Sequence, residues 1–134
     1  MVRLVRSFLF VPGNNKRFID KAKSLNVDII CLDLEDSVIS DGKESSRQVI
    51  IETLKSRSEF SGEVYVRINP FDSNNMQGDL EAVVQKGVDG IVIPKVNDPN
   101  EVIELSKRLS VLECERSIKE GVIEIIPSIE SAKG

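Results

Sequence analysis

Five short segments of the chain are almost continuously apolar and rich in β-branched residues. Turn-forming residues bound each segment, and polar and apolar positions do not alternate strictly within it. Continuous apolar runs of this length are typical of parallel strands that are covered on both faces. We therefore predict strands at 4–11, 28–34, 63–68, 90–94 and 122–127.

The first two intervals between these segments have helical periodicity. The first helix is predicted to begin after Gly13, with Asn14 or Asn15 as its N-cap. The side chains predicted to face inward from it are Phe18, Ala22 and Leu25. In the second helix the predicted inward positions are Val49, Ile50 and Leu54. Its predicted solvent-facing positions are Lys43, Glu44, Arg47 and Lys55.

Two further helices complete an alternating order of strands and helices. A short third helix is predicted at 79–86, packed through Leu80, Val83 and Val84. The fourth has the clearest start, because Asp98 can cap it and Pro99 suits the first helical position. Alternating units of this kind indicate an α/β fold with a parallel sheet, either open and doubly wound or wound into a barrel.

Composition narrows the possible chemistry. The 134 residues correspond to a single domain (1–134), and a net charge of −4 argues against a general nucleic-acid binder. The sequence contains no histidine, which excludes imidazole-dependent triads and zinc sites within this chain. Cys31 lies in an apolar run and is interpreted as a buried thiol. The sequence shows neither a signal peptide nor a membrane span, so we expect a cytoplasmic protein without a membrane partner.

Polar residues collect where the predicted strands end, which is where parallel α/β folds bind ligands. Asp33 and Glu35 are two residues apart and would face the same side of an extended strand. Their charges need a counter-charge such as Arg67, which ends the third strand. Arg67 could equally hold a substrate carboxylate or form an internal ion pair. Asp36 and Ser37 could belong to the site or begin a turn.

Two further groups are weaker candidates. Glu130 ends the last strand and could be a ligand for a hard cation such as Mg²⁺, although a surface glutamate is an equal alternative. Gly13 and the basic residues Lys16, Arg17 and Lys21 could surround a phosphate at a helix start. A solvated helix face is the simpler interpretation of these three cations.

Five ordered motifs give the chain a specific resemblance. They are RSFLFVPG at 6–13, DLEDSV at 33–38, VRIN at 66–69, VIPKV at 92–96 and IPSIESA at 126–132. In order and spacing they resemble the citrate lyase beta-subunit family, which includes citryl-CoA, malyl-CoA and citramalyl-CoA lyases. The resemblance implies a TIM-type (β/α)₈ barrel, of which about five of the eight strands would be present here.

The resemblance also implies an activity and roles for residues. The family cleaves, or in reverse forms, a carbon–carbon bond of a 3-hydroxyacyl-CoA and uses Mg²⁺ to hold the keto or hydroxy acid. By resemblance, Glu130 is a metal ligand and contacts the substrate, and Arg67 binds the substrate carboxylate. Glu35 and Asp36 resemble the acidic pair that organises water and substrate. The stretch that contains Lys16, Arg17 and Lys21 resembles the segment that binds CoA.

The resemblance also exposes a difference in length. Family barrels need about 250 residues, and the second metal-ligand aspartate and the later segment that carries the catalytic base have no counterpart in this sequence. A partial barrel leaves two strand edges open, so we expect a homo-oligomer. The alternatives to a lyase are a non-catalytic truncated paralogue or fragment that self-associates, and a metal-dependent aldolase acting on free 2-keto acids.

Overall fold

A computed structural model describes residues 3–134 of the chain. The strands are β1 (Phe8–Pro12), β2 (Ile29–Asp33), β3 (Glu63–Arg67), β4 (Gly90–Ile93) and β5 (Glu124–Pro127). The helices that alternate with them are α1 (Lys16–Lys23), α2 (Lys43–Lys55), α3 (Met76–Val83) and α4 (Pro99–Glu115). Short 3₁₀ turns at Ser40–Gly42 and Arg57–Glu59 flank α2.

The five strands form one parallel sheet in the order β1-β2-β3-β4-β5. The order never reverses, whereas a doubly wound sheet reverses at its switch point. Strands that follow one another in this way form the wall of a (β/α) barrel. The predicted α/β barrel units are therefore confirmed, as an arc of five strands that is not closed within residues 3–134.

Alternate residues of each strand pack on opposite faces of the sheet. The outer face packs against the helices in one large core that includes Leu32, Val66 and Ile93. The inner face carries a second, smaller apolar cluster in which Cys31, Tyr65 and Val92 meet. Cys31 is fully buried, as predicted.

The first strand begins later than predicted because a side chain replaces part of its ladder. The Asp28 carboxylate accepts hydrogen bonds from the backbone N–H groups of Arg6 and Ser7 (2.8 and 3.0 Å). Leu4 and Val5 therefore precede the strand, and both are exposed. The other four strands differ from their predicted bounds by at most two residues at either end.

Helices α1 and α3 also differ from their predictions. In α1 the Phe18 side chain is 49% exposed and Ile19 is buried beside Ala22 in its place, so Phe18 was wrongly assigned to the inner face. Helix α3 begins at Met76 rather than at 79. Asp79 is buried inside that helix, where its carboxylate accepts a hydrogen bond from the backbone N–H of Asn69 in the preceding loop.

The fourth helix begins as predicted, with the Asp98 side chain accepting a hydrogen bond from Asn100 N (2.8 Å). None of the helices between residues 3 and 134 has the length and apolar character that crossing a membrane requires. Strands β1 and β5 are the two ends of the sheet, and each has one strand neighbour among the described residues.

Candidate functional site

The polar residues singled out by the sequence meet at the carboxyl ends of β2 and β3. Asp33 is the last residue of β2, Arg67 is the last residue of β3, and the two are direct register partners. Both side chains lie on the inner face of the arc, because their neighbours Leu32 and Val66 pack on the helix side. The end of the sheet therefore places an ion pair at the mouth of the arc.

Asp33 is fully engaged by the protein itself. Arg67 donates to its two carboxylate oxygens from Nε and Nη2, at 2.8 and 2.9 Å. The backbone N–H groups of Glu35 and Ser37 donate to the same carboxylate, as does the Ser37 hydroxyl at 2.5 Å. Burial opposes ionisation, but the hydrogen bonds from Arg67 and Ser37 outweigh it and lower the pKa of Asp33 to about 2. Asp33 therefore anchors both the turn that follows β2 and the guanidinium of Arg67.

The internal ion pair considered for Arg67 is formed, and it engages two of the three guanidinium nitrogens. Asp33 occupies the Nε and Nη2 edge, while Nη1 lies 3.5 Å from a Glu35 oxygen. The Phe10 ring of β1 lies against the guanidinium, with its centroid 4.7 Å from the Arg67 carbon. The hydrogen bond to Asp33 raises the pKa of Arg67, so the guanidinium stays charged. Nη1 is the nitrogen of the guanidinium that donates no hydrogen bond to Asp33.

Glu35 and Asp36 differ sharply in their surroundings. The Glu35 side chain is only 5% exposed, and neither carboxylate oxygen makes a well-directed hydrogen bond. Its nearest partner is the Lys95 ammonium at 2.6 Å. The Asp36 side chain is 68% exposed and lies 3.7 Å from Arg67 and 4.0 Å from Lys95. The two acids therefore sit beside the same two cations, one buried and one accessible.

Lys95 follows β4 and belongs to the VIPKV motif, but no role was predicted for it. Its backbone is left-handed, with φ of 55°, a region that non-glycine residues seldom adopt. Its backbone N–H donates to Glu130 Oε1 at 3.2 Å. Glu130 itself is exposed, three residues beyond β5. Lys95 thus contacts acids from two different strand ends.

A second set of polar contacts holds the backbone of the turn that follows β2, and these contacts were not predicted from the sequence. Lys43 was wrongly assigned to solvent: it is 8% exposed and its ammonium donates to the carbonyls of Leu34 and Glu35 (2.6 and 2.8 Å). Burial lowers the pKa of Lys43. The Asn69 side chain donates to the same Leu34 carbonyl and to Asp79 (3.1 and 2.6 Å).

Arg47 was also predicted to face solvent and does not. Its side chain is 14% exposed, and Nε donates to the fully buried Asp79 at 2.8 Å. This hydrogen bond between Arg47 and Asp79 connects α2 to α3. A lysine and an arginine four residues apart near the start of a helix give no sequence signal that distinguishes this arrangement from a solvated face.

The glycine after β1 lets the first loop approach β2 closely. The Gly13 N–H donates to the Asp33 carbonyl at 2.9 Å, and a Cβ at this position would lie 2.6 Å from the same oxygen. Asn15 caps α1 by accepting from Phe18 N, and its own N–H donates to the Pro12 carbonyl. The backbone N–H groups of Gly13 and Asn15 therefore already have hydrogen-bond partners within the chain.

The three basic residues of α1 are exposed but do not share one surface. Lys16 pairs with Asp20 one turn later, at 3.1 Å. Arg17 and Lys21 are four residues apart and so lie on a common side of the helix. Lys21 also lines an apolar groove over the β1 edge, together with Phe18 and Leu25.

The cluster at the end of the sheet is electrically balanced. Three carboxylates face three cations, and the side chains involved are Asp33, Glu35, Asp36, Lys43, Arg67 and Lys95. Across residues 3–134 no three His, Cys, Asp or Glu side chains are grouped so that they could hold a metal ion among themselves. A cation here would have to share its coordination with a ligand or with water.

Comparison with known proteins identifies relatives over nearly the whole chain. A family model described as HpcH/HpaI aldolase/citrate lyase matches residues 6–134. The citrate lyase subunit beta of Leuconostoc mesenteroides subsp. cremoris is 36% identical over 132 residues, which cover 98% of this chain and 44% of that protein. Human mitochondrial citramalyl-CoA lyase is 34% identical, over 96% of this chain and 38% of that protein. The chain therefore spans less than half the length of these two relatives.

A solved structure agrees with this relationship. The citrate lyase beta subunit of M. tuberculosis, complexed with oxaloacetate and magnesium, superposes with a TM-score of 0.71 at 26% sequence identity. The match covers 95% of this chain and 48% of that one. The matched part of the relatives is their N-terminal half.

Proposed function

Because the chain belongs to the HpcH/HpaI aldolase/citrate lyase family, we propose that it supplies the first five β/α units of a carbon–carbon lyase. The substrate would be a 3-hydroxyacyl-CoA of the citryl, malyl or citramalyl type, cleaved or formed in the reverse direction. The observation that carries the proposal is the position of Arg67, which lies at a strand end between Asp33 and Glu35. An anion-binding group is thereby fixed where barrels of this class bind ligands.

Arg67 would bind the keto or hydroxy acid portion of the substrate. Asp33 holds the Nε and Nη2 edge of its guanidinium, so Nη1 is the donor that would meet a ligand carboxylate or keto oxygen. Fixing the guanidinium in advance reduces the entropy lost on binding and orients the bond that breaks. As that bond breaks, the positive charge would stabilise negative charge that develops on the ligand oxygen.

Glu35 and Asp36 would organise the polar groups around that ligand. Glu35 is buried and fixed by cations, so it suits orientation of a water molecule or a substrate hydroxyl. Asp36 is exposed and free to accept hydrogen bonds from solvent or substrate. We assign neither of them the role of catalytic base.

A divalent cation such as Mg²⁺ is part of the proposal, and the donor chemistry fits a cation that is shared with the ligand. Mg²⁺ prefers oxygen donors and commonly takes only one or two carboxylates beside water and substrate. Glu130 would be the carboxylate of this chain that holds it. Glu130 and an anionic keto acid would add two negative charges to a balanced cluster, and a divalent cation would restore neutrality. Bound there, it would polarise the keto oxygen of the acid.

The CoA portion would approach along α1. Arg17 and Lys21 are the stronger candidates for contact with its phosphates, because they share one side of the helix. Lys16 is a weaker candidate, since Asp20 already neutralises it. Replacing both Arg17 and Lys21 by glutamine should weaken CoA binding in calorimetry, whereas Lys119→Gln, at an exposed position remote from α1, should not.

Calorimetric titration with pyruvate or glyoxylate in the presence of Mg²⁺ tests the proposal directly. We expect weak binding that Glu130→Gln and Arg67→Lys each reduce by about tenfold or more, because each removes a direct ligand contact. Glu120→Gln, at an exposed position outside the site, is the matched control. Absence of binding in the parent chain, or binding that Glu130→Gln leaves unchanged, would refute a formed site.

The competing functions make different predictions in the same experiment. An aldolase for free 2-keto acids would bind pyruvate but not CoA or its esters, and a non-catalytic fragment would bind neither. Association with a further copy of the chain is also part of the proposal, because within residues 3–134 β1 and β5 each pair with one strand and end the sheet. A cytoplasmic location stays a prediction.

A further inference from the structure

Lys95 lies in the VIPKV motif, but it is a residue of the site to which no role has been assigned. Between residues 3 and 134, two non-glycine residues have positive φ, Lys95 and Ser117, each at 55°. Glycine is the residue that adopts this conformation without a steric penalty. The polar contacts of Lys95 distinguish it from Ser117, which is exposed and lies outside the site.

The left-handed turn directs two groups of Lys95 to two different acids. The ammonium lies 2.6 Å from the Glu35 carboxylate, which follows β2. The backbone N–H donates to Glu130 Oε1 at 3.2 Å, beyond β5. One residue at the end of β4 therefore bridges acids that are 95 positions apart in the sequence.

The buried Glu35 carboxylate depends on this contact. It is 5% exposed, has no well-directed hydrogen bond, and lies 3.5 Å from Arg67 as its second cation. An ionised carboxylate that is buried without a close counter-charge is strongly disfavoured. The Lys95 ammonium is half exposed, so it reaches the carboxylate from the open side of the site.

We propose that Lys95 is a positioning residue that sets the spacing between the acidic pair of β2 and the carboxylate of Glu130. Its ammonium holds Glu35 and its backbone N–H holds Glu130, so that both acids face a ligand bound at Arg67. The inference rests on the proposed function for its consequence in binding, but the contact between the ammonium and Glu35 can be tested separately from it.

Glycine substitutions made in the parent chain and in a Glu35→Gln variant test the ion pair between Lys95 and Glu35 without any ligand. Ser117→Gly measures the benefit of glycine at a left-handed position, because Ser117 is exposed and lies outside the site. We expect it to lower the unfolding equilibrium constant by a few fold. Lys95→Gly should instead raise that constant by about tenfold or more, because Glu35 loses its nearest counter-charge.

The sign of the effect should reverse when Glu35 is made neutral. In a Glu35→Gln background, Lys95→Gly should stabilise the chain about as much as Ser117→Gly does, as measured by urea denaturation. If Lys95→Gly has the same effect in both backgrounds, the ammonium does not hold Glu35 and the proposal is overturned. This result stands whether or not the chain binds a keto acid.

Ligand binding then tests the consequence of the positioning. In titrations with pyruvate and Mn²⁺, Lys95→Gly should lose about tenfold or more in affinity, while Ser117→Gly should bind as the parent does. Lys95→Arg keeps the positive charge and should restore most of the affinity. Unchanged affinity in Lys95→Gly would overturn the proposal. If the parent itself does not bind, the proposed function fails, and the two-background comparison alone decides the role of Lys95.

Discussion

The anchoring of Arg67 by Asp33 leads to a sharp prediction for Asp33→Asn. The substitution preserves shape but removes the charge and turns one acceptor oxygen into a donor. Each carboxylate oxygen of Asp33 accepts at least two hydrogen bonds, one of them from Arg67. Whichever oxygen is replaced, an N–H of Arg67 loses its partner and the amide group faces other donors.

The expected loss of stability is large for this chain. Removing one partner of a buried ion pair costs about 3 to 5 kcal/mol, because the remaining charge stays buried without compensation. Domains of this size are stable by about 5 to 15 kcal/mol. Urea denaturation near neutral pH, followed by circular dichroism, should therefore show a clearly lower free energy of unfolding for Asp33→Asn. Asp36→Asn is the matched control: its side chain is 68% exposed, and we expect a change of about 0.5 kcal/mol or less.

The pH dependence provides an independent check on the same residue. The pKa of Asp33 is lowered from 3.8 in the unfolded chain to about 2 in the folded chain. The ionised Asp33 therefore stabilises the fold fully at a pH above its unfolded pKa, and this stabilisation is lost as the pH falls toward about 2. The difference between the two pKa values corresponds to about 2 kcal/mol of folding free energy. The gap between the parent and Asp33→Asn should narrow by this amount as the pH falls from about 5 to about 2. A variant within about 1 kcal/mol of the parent near neutral pH, or a gap that does not change with pH, would refute the reasoning.

Three further predictions concern the frame around the site. Lys43→Met should lower the free energy of unfolding by about 1 to 3 kcal/mol, because the carbonyls of Leu34 and Glu35 lose a buried donor; an unchanged urea midpoint would contradict this. Gly90→Ala should cost about 1 to 3 kcal/mol in thermal unfolding, because the new Cβ would overlap the Tyr65 ring; a melting temperature equal to the parent's would contradict it. Sedimentation velocity should show association that increases with concentration, whereas a monomer at every concentration would count against exposed strand edges as an interface.

The strands could be predicted because each carries its own signal. A run such as the one in β2 is apolar on both faces and ends in turn-forming residues, and the structure places the strand within one residue of the predicted bounds at each end. Helix α3 shows where such reasoning fails. The helix was predicted to begin at Asp79, but Asp79 lies inside α3, and its buried carboxylate accepts a hydrogen bond from Asn69 N. A local pattern cannot distinguish an acid at the start of a helix from one inside the helix that reaches a loop ten residues earlier.

The candidate site was predicted only in part, because some of its residues carry a local sequence signal and others do not. Asp33 and Arg67 could be placed at strand ends from spacing, and the structure brings them together. The contribution of Lys95 could not be predicted, since nothing in the sequence Pro-Lys indicates a left-handed lysine. Lys43 was misplaced because helical periodicity describes side-chain direction within a helix but not the loop that covers its first turn.

The register of the sheet explains why the site lies where it does. Pro12, Asp33, Arg67 and Val92 occupy one row of register partners, and side chains alternate between the faces along every strand. Placing Val66 against the helices therefore places Arg67 on the inner face beside Asp33. A slip of one residue in β3 would turn the guanidinium into the helix core and leave Asp33 without its partner, at a cost in both packing and charge. The apolar pattern that builds the outer core thus also specifies the position of the Arg67 guanidinium, so that core packing and the geometry of the candidate site depend on the same register.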